Sequence, residues 1–346
     1  MERVTLINAR AAMRPETGGV ERWARELSVR LPQISPSAYR VAAPPAMFAH
    51  RLGHLWEQGF LPALAWRRHT GLILSPANLA PLVSRRNVVI IHDAAPLRFP
   101  DDFSRLYTAW QSFLLPRLVS KAVKVIVPSE FSRTELIELC QADPDKIVVV
   151  PPGVPDELFN HGAGGPADRV ILERHGLAER PYVLTVGSHV KRKNLGALDP
   201  VAIAMAEEGL DLVAVGGGRP QLAAETRSSL VRDLGPVPAG DLAALYAGAR
   251  VMVLPSIYEG FGLPVCEAMA CGTPVVCSNM TALVEAAGGA ALLVDPSSAD
   301  EMTAAVMSAA FDPNVRADLV RLGSQRVEGL TWQATALAVD AVLGSV

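Results

Sequence analysis

A chain of 346 residues, half of them apolar and 19% charged, with 27 Gly and 27 Pro, has the size of two ordinary domains and the composition of a globular protein. That excludes a disordered, collagen-like or coiled-coil chain, and the apolar stretches fall well short of the ~18 residues a membrane-crossing helix needs. The net charge of −3 is unevenly shared: residues 1–165 carry 19 Lys/Arg against 15 Asp/Glu, and residues 166–346 carry 13 against 20. Neither half is basic enough, nor equipped with a stacking-aromatic motif, for nucleic acid to be its partner.

The opening residues contain only a four-residue apolar run between charges, too short for a secretory signal, so the expectation is a soluble, cytoplasmic protein. Cys140, Cys266, Cys271 and Cys277 form no CxxC pair and read as small buried thiols in a reducing compartment. His50 and His54 lack the context of a metal site, and no metal ligand set is expected.

In chain order, apolar runs at 4–7, 88–91, 123–127 and 147–150 predict buried strands in the first half. Runs at 182–186, 212–215, 251–254, 274–277 and 291–294 do the same in the second. Continuous rather than alternating apolar runs belong to parallel sheets covered on both faces. Val20, Trp23, Ala24, Leu27 and Leu31 mark one face of an amphipathic helix. Strands alternating with helices predict an open α/β sheet, twice over. The Pro- and Gly-rich stretch at 152–170 can continue neither element and is the linker. The expected division is therefore an N-terminal Rossmann-like domain over 1–160 and a C-terminal one over 161–330. Residues 331–346 should form a terminal helix packing back towards the first. Two such domains would face each other across a cleft, with ligands at the carboxyl ends of their strands.

The densest candidate site is 255–276, where a strand leads into a Gly-rich turn holding Glu259 and a helix over 264–270 holding Glu267. Pro264 suits the first helical position, the free amides around Gly262 and Leu263 suit a phosphate, and Glu267 in the first turn suits the dipole. A plain strand-loop-helix joint explains the same pattern. Arg192 and Lys193 follow a predicted strand and could hold a diphosphate as fork and point charge; a solvated basic run is the alternative. Gly18 and Gly19 precede a helix and allow close backbone approach, as would a simple helix-entry turn. His92 and Asp93 stand at a strand end, either as site residues or as a capped turn. Gly216, Gly217 and Gly218 close another strand. Two decoys fail on context: Asp143-Pro144-Asp145 reads as a turn rather than a metal-binding DxD, and the GxGxxA match at 162 has no preceding strand.

Taken together these segments resemble the family 4 glycosyltransferases, retaining nucleotide-sugar-dependent enzymes of the two-Rossmann GT-B architecture. The resemblance rests on Glu259 and Glu267 with seven residues between them, on 271–275, Glu285 and 288–296, and on 186–195 with Arg192-Lys193-Asn194. In the first half it rests on 17–20, 92–98, 128–133 and 151–154, so it covers residues 17 to about 296. Ser188 stands where some relatives carry Arg, which places more of the phosphate role on Arg192. The resemblance implies Glu259, His92, Arg192 and Lys193 as catalytic residues, with His92 hydrogen-bonding the sugar rather than acting as general base. It implies Gly18, Gly19, Arg192, Lys193, Gly235, Val237, Gly262, Leu263 and Glu267 as donor-binding residues, Glu267 beside the ribose and Gly235-Pro236-Val237 beside the base.

The expected activity is metal-independent transfer of a hexose from a nucleoside-diphosphate sugar to a glycan or lipid-linked acceptor. No cofactor is expected beyond that donor substrate. Residues 92–100 most resemble bacterial mannosyltransferases of cell-envelope polysaccharide assembly, which favours mannose. Arg67, Arg68, Arg85, Arg86, Lys121 and Lys124, if on one face, would touch the inner membrane surface peripherally. The alternatives are another GT-B enzyme, such as a nucleotide-sugar epimerase, and a catalytically silent sugar-nucleotide-binding protein.

Overall fold

The computed structural model describes residues 4–14, 18–49, 53–159, 165–217 and 230–346. It comprises two compact units: Met1–Pro100, Arg105–Gly153 and Trp332–Val346 form the first, and Asp101–Ser104 with Val154–Thr331 the second. The chain passes from one to the other between Gly153 and Val154, earlier than the 160/161 division read from the sequence.

The first unit is a six-stranded parallel sheet of β1 (Thr5–Asn8), β2 (Tyr39–Ala42), β3 (Leu72–Ser75), β4 (Asn87–Ile90), β5 (Lys124–Val127) and β6 (Ile147–Val149). The order is β2-β1-β3-β4-β5-β6. Two of these strands escaped the reading by apolar runs. β2 is an edge strand whose central residues, Arg40 and Val41, are exposed, and β3 is a buried four-residue run, Leu72–Ser75, of the same length and burial as β1. The helix Gly19–Ile34 buries Trp23, Ala24, Leu27 and Leu31, each leucine contributing roughly 1.5–3 kcal/mol. This face packs in one core with Trp332, Ala336 and Val339 of the terminal helix Trp332–Gly344, and Asp340 of that helix accepts a short hydrogen bond from Tyr39 of β2.

The second unit is again all parallel: β7 (Tyr182–Val186), β8 (Asp211–Val215), β9 (Arg232–Asp233), β10 (Val251–Leu254), β11 (Val275–Ser278) and β12 (Leu292–Val294). Its order, β12-β11-β10-β7-β8-β9, reads 3-2-1-4-5-6 from the far edge when numbered within the unit, the dinucleotide-fold order. β9, two residues long and polar, left no apolar signal. Both sheets reverse direction once, between β1 and β3 and between β7 and β10. Crevices at the carboxyl ends of such strands are where doubly wound sheets bind ligands.

Candidate functional site

In the second unit the switch point brings together the loops after β7 and β10, the two segments singled out from the sequence. Close backbone approach starts the construction. Gly216 has φ +145°, and a Cβ on it would lie 1.8 Å from the Gly187 carbonyl oxygen, so only glycine fits. Residues 191–193 form one 3₁₀ turn, ended by Asn194 at φ 56°. The Asn194 side-chain amide donates to the carbonyls of Pro255 (3.3 Å) and Pro296 (3.0 Å). The Ile257 amide donates to the Arg192 carbonyl at 2.9 Å. The two loops are thereby knitted into one surface.

On that surface Lys193 Nζ donates to Glu259 Oε1 in a short ion pair; the two side chains are 10% and 12% exposed. Burial alone would raise the Glu259 pKa, but the Lys193 and Arg192 charges outweigh it and hold the carboxyl below its ordinary value. Arg192 Nε and Nη1 are buried with no hydrogen-bond partner. Buried donors left unpaired cost about 1–3 kcal/mol, more when charged, so these two nitrogens call for acceptor oxygens. Lys193 is thus engaged by Glu259, whereas Arg192 keeps two donors without a hydrogen-bond partner among the described residues.

The helix after β10 runs Leu263–Ala270, capped by Gly262 at φ +108°. A Cβ there would meet Leu283 Cδ2 at 2.6 Å. One sequence expectation is corrected here. Because the helix begins at Leu263, Glu267 is not in its first turn, and dipole complementarity, which fades within that turn, does not explain it. Glu267 is instead buried, 5% exposed, and its Oε2 accepts from the Tyr246 hydroxyl at 2.9 Å. Gly235 has φ +68°; its carbonyl accepts from Gly216 N (3.0 Å) and its amide donates to Asp233 Oδ1 (2.7 Å). Val237 packs against the core. Gly218 and the decoy at 162–164 lie outside the described residues.

His189 was not singled out from the sequence. It is 3% exposed, neither ring nitrogen has a hydrogen-bond partner, and Nδ1 lies 3.6 Å from Asp233 Oδ2. A histidine inside a basic, turn-forming segment carries no pattern that separates it from its neighbours.

In the first unit, His92 follows β4, and its amide donates to Asn78 Oδ1 (2.7 Å). Its Nε2 stands 2.9 Å from the Pro76 carbonyl, which obliges Nε2 to carry the proton. Burial lowers the His92 pKa, so the ring is neutral at physiological pH. Asp93 caps the next turn, accepting from the Ala95 amide at 3.1 Å, as the plainer reading had it. Gly18 caps the helix Gly19–Ile34 with φ −73°, a conformation open to any residue. Asp143 accepts from the Asp145 amide (3.0 Å) in an exposed turn, and all four cysteines are buried and unpaired.

A parallel sheet in the 3-2-1-4-5-6 order with cations and carboxylates at its switch point, following a second doubly wound unit, is the GT-B class of architecture. Residues 17–158 match the family described as Glycosyltransferase Family 4, and residues 180–312 match Glycosyl transferases group 1. The chain is 32% identical over 297 residues to O-antigen chain mannosyltransferase B of Escherichia coli, covering 82% of this chain and 76% of that protein. It is also 32% identical over 252 residues to MMP alpha-(1->4)-mannosyltransferase of Mycolicibacterium hassiacum, covering 68% of this chain and 58% of that one. Among solved structures, sucrose-phosphate synthase from Thermosynechococcus elongatus superposes with TM-score 0.75 at 21% identity, covering 100% of this chain and 99% of that one. Anabaena HepE in complex with UDP and glucose gives 0.74 at 19%, covering 100% of both chains. These share the fold. The chain belongs to the family 4 glycosyltransferases and is a glycosyltransferase.

Proposed function

We propose that the chain is a retaining, metal-independent hexosyltransferase that moves mannose from a nucleoside-diphosphate donor to a glycan or lipid-linked acceptor in polysaccharide synthesis. The observation that carries the donor half is the pair of buried, unpaired Arg192 nitrogens, Nε and Nη1, in the residue next to the Lys193–Glu259 pair. A diphosphate supplies the missing acceptor oxygens. As the glycosidic bond breaks, negative charge gathers on that diphosphate and positive charge on the sugar. Arg192, Lys193 and the Leu263 amide at the helix start answer the first, and Glu259 the second, which is electrostatic stabilisation aimed at developing charge. Glu267 serves the ribose, Gly235 and Val237 the base, and Gly18, Gly19 and His92 the sugar and phosphate. The names of the two mannosyltransferase relatives favour mannose over other hexoses.

Membrane contact is part of the same reading. In the first unit Trp66 is 80% and Val83 72% exposed, and both line one depression with Arg85 and Arg86, while Lys121 reaches the neighbouring Leu82 carbonyl at 3.1 Å. Exposed apolar groups rimmed by cations suit an anionic cytoplasmic leaflet. No helix among the described residues is long and apolar enough to cross a membrane.

Melting the protein with GDP, UDP, ADP and dTDP tests the donor reading, since a ligand bound only by the folded state raises the melting temperature. One diphosphate should stabilise the wild type and fail to stabilise Arg192→Ala. No response to any of the four, or an equal response in the variant, refutes it. Sedimentation with anionic but not neutral vesicles tests the membrane contact, and equal behaviour with both discards it.

A further inference from the structure

Glu21 occupies the third position of the helix Gly19–Ile34 and is 1% exposed. Its Oε1 accepts from Arg14 Nη1 at 3.2 Å, whereas its Oε2 is buried with no hydrogen-bond partner. A glutamate here commonly turns back to cap its own helix. Glu21 does not, so the usual structural reason for a carboxylate at this position is absent. The helix is the first to follow β1, one of the two strands that flank the switch point of the first sheet, and ligands of such sheets bind at the carboxyl ends of those strands.

The neighbouring polar group is His92. The Glu21 charge acts on it, and Trp23, two residues along the same helix, packs edge-on against its ring at 5.7 Å. With Nε2 bound as a donor to Pro76, a neutral imidazole keeps its lone pair on Nδ1. Glu21 Oε2 and His92 Nδ1 are therefore both acceptors. A cation is the wrong complement, because Arg14 already answers the Glu21 charge. An uncharged molecule with several O–H donors is the right one, and among the substrates of a glycosyltransferase that is the hexose itself.

We propose that Glu21 binds, through its unpaired Oε2, a hydroxyl of the sugar that His92 contacts in the reading above, so that the first unit takes part in recognising the sugar's hydroxyl pattern. The assignment rests on the glycosyl-transfer reading above. The sugar comes either from the donor or from the acceptor, and kinetics separate the two.

The test uses the full chain with GDP-mannose as donor and octyl α-D-mannopyranoside as acceptor, comparing wild type, Glu21→Gln and Glu21→Ala, together with their melting temperatures without substrate. Loss of a charged hydrogen bond should raise one KM about tenfold or more in each variant. A donor effect assigns the hydroxyl to the transferred sugar, an acceptor effect to the acceptor. Glu21→Gln should melt within about 2 °C of wild type, because the Arg14 contact it weakens is partly exposed and worth little. Unchanged KM values overturn the proposal. So does a fall in melting temperature accompanied by equal losses for both substrates, the mark of a residue that only holds the helix. If the wild type turns over no nucleotide sugar, the transfer reading itself fails. The melting comparison then decides Glu21: a lower-melting Glu21→Gln makes it structural and overturns its role, and an unchanged one sustains it.

Discussion

Replacing Lys193 by Met keeps the length and most of the volume of the side chain while removing its cation, and so isolates the electrostatics of the site. Breaking a buried ion pair from one side typically costs 3–5 kcal/mol. The Lys193 and Glu259 side chains are 10% and 12% exposed and Arg192 still faces the carboxyl, so roughly 2–3 kcal/mol is the expected loss here. In a unit of this size that lowers the melting temperature by roughly 4–12 °C. The pH dependence gives the sharper signature. The folded-state pKa of Glu259 is depressed, so its contribution to stability is present above the unfolded carboxyl value of about 4.3. That contribution is lost as the pH falls through the lower folded value. In Lys193→Met the chief cause of the depression is gone and burial works the other way, so this acid loss shrinks. The gap between wild type and variant should therefore be widest near neutrality and close below about pH 4. Adding Glu259→Gln to Lys193→Met should recover part of the neutral-pH loss, because the double variant leaves no unpaired carboxylate. Thermal melts of the four proteins from pH 7 to pH 3 measure all of this. A gap that stays constant with pH, or a double variant as unstable as the sum of the singles, refutes the coupling.

Gly216→Ala should lower the stability of the second unit by more than about 3 kcal/mol, since its Cβ would overlap the Gly187 carbonyl at a φ that L side chains rarely adopt; a melt within a few degrees of wild type contradicts this. If Arg192 and Lys193 are the cations that neutralise the diphosphate, as proposed above, transfer should survive EDTA; loss of activity restored by magnesium or manganese overturns it. Glu267→Gln should raise the donor KM by roughly ten- to a hundredfold, whereas Glu259→Gln should lower kcat with little change in nucleotide affinity. Equal loss of nucleotide binding in both would cancel that division of roles. Tyr246→Phe, which removes only the hydroxyl donating to Glu267, should reproduce a weaker form of the Glu267→Gln effect, and a wild-type donor KM shows the contact to be structural only.

The sequence by itself determined the class. Long apolar strands such as Tyr182–Val186 and Val251–Leu254 are buried on both faces in a parallel sheet, and such burial writes itself into composition, residue after residue. The glycines at 216, 235 and 262, all at positive φ, and Arg192, Lys193 and Glu259 stood out for a related reason: each sits in a turn or loop that follows a strand, whereas Glu267 lies within the helix beyond. What only the tertiary structure decided is which of these groups meet. Lys193 and Glu259 are joined because β7 and β10 lie side by side, a neighbour relation between strands far apart in the chain that no local pattern encodes. The same holds for Tyr246 on Glu267, for His189 near Asp233, and for Glu21 buried close to His92. Strands β2 and β9 were missed for the converse reason. Each lies at a sheet edge and carries exposed or polar residues, so its place comes from the strand it pairs with rather than from its own apolar content. Solvation is a property of single residues and can be read along a chain, whereas an orphaned donor or acceptor exists only once the fold has removed its water.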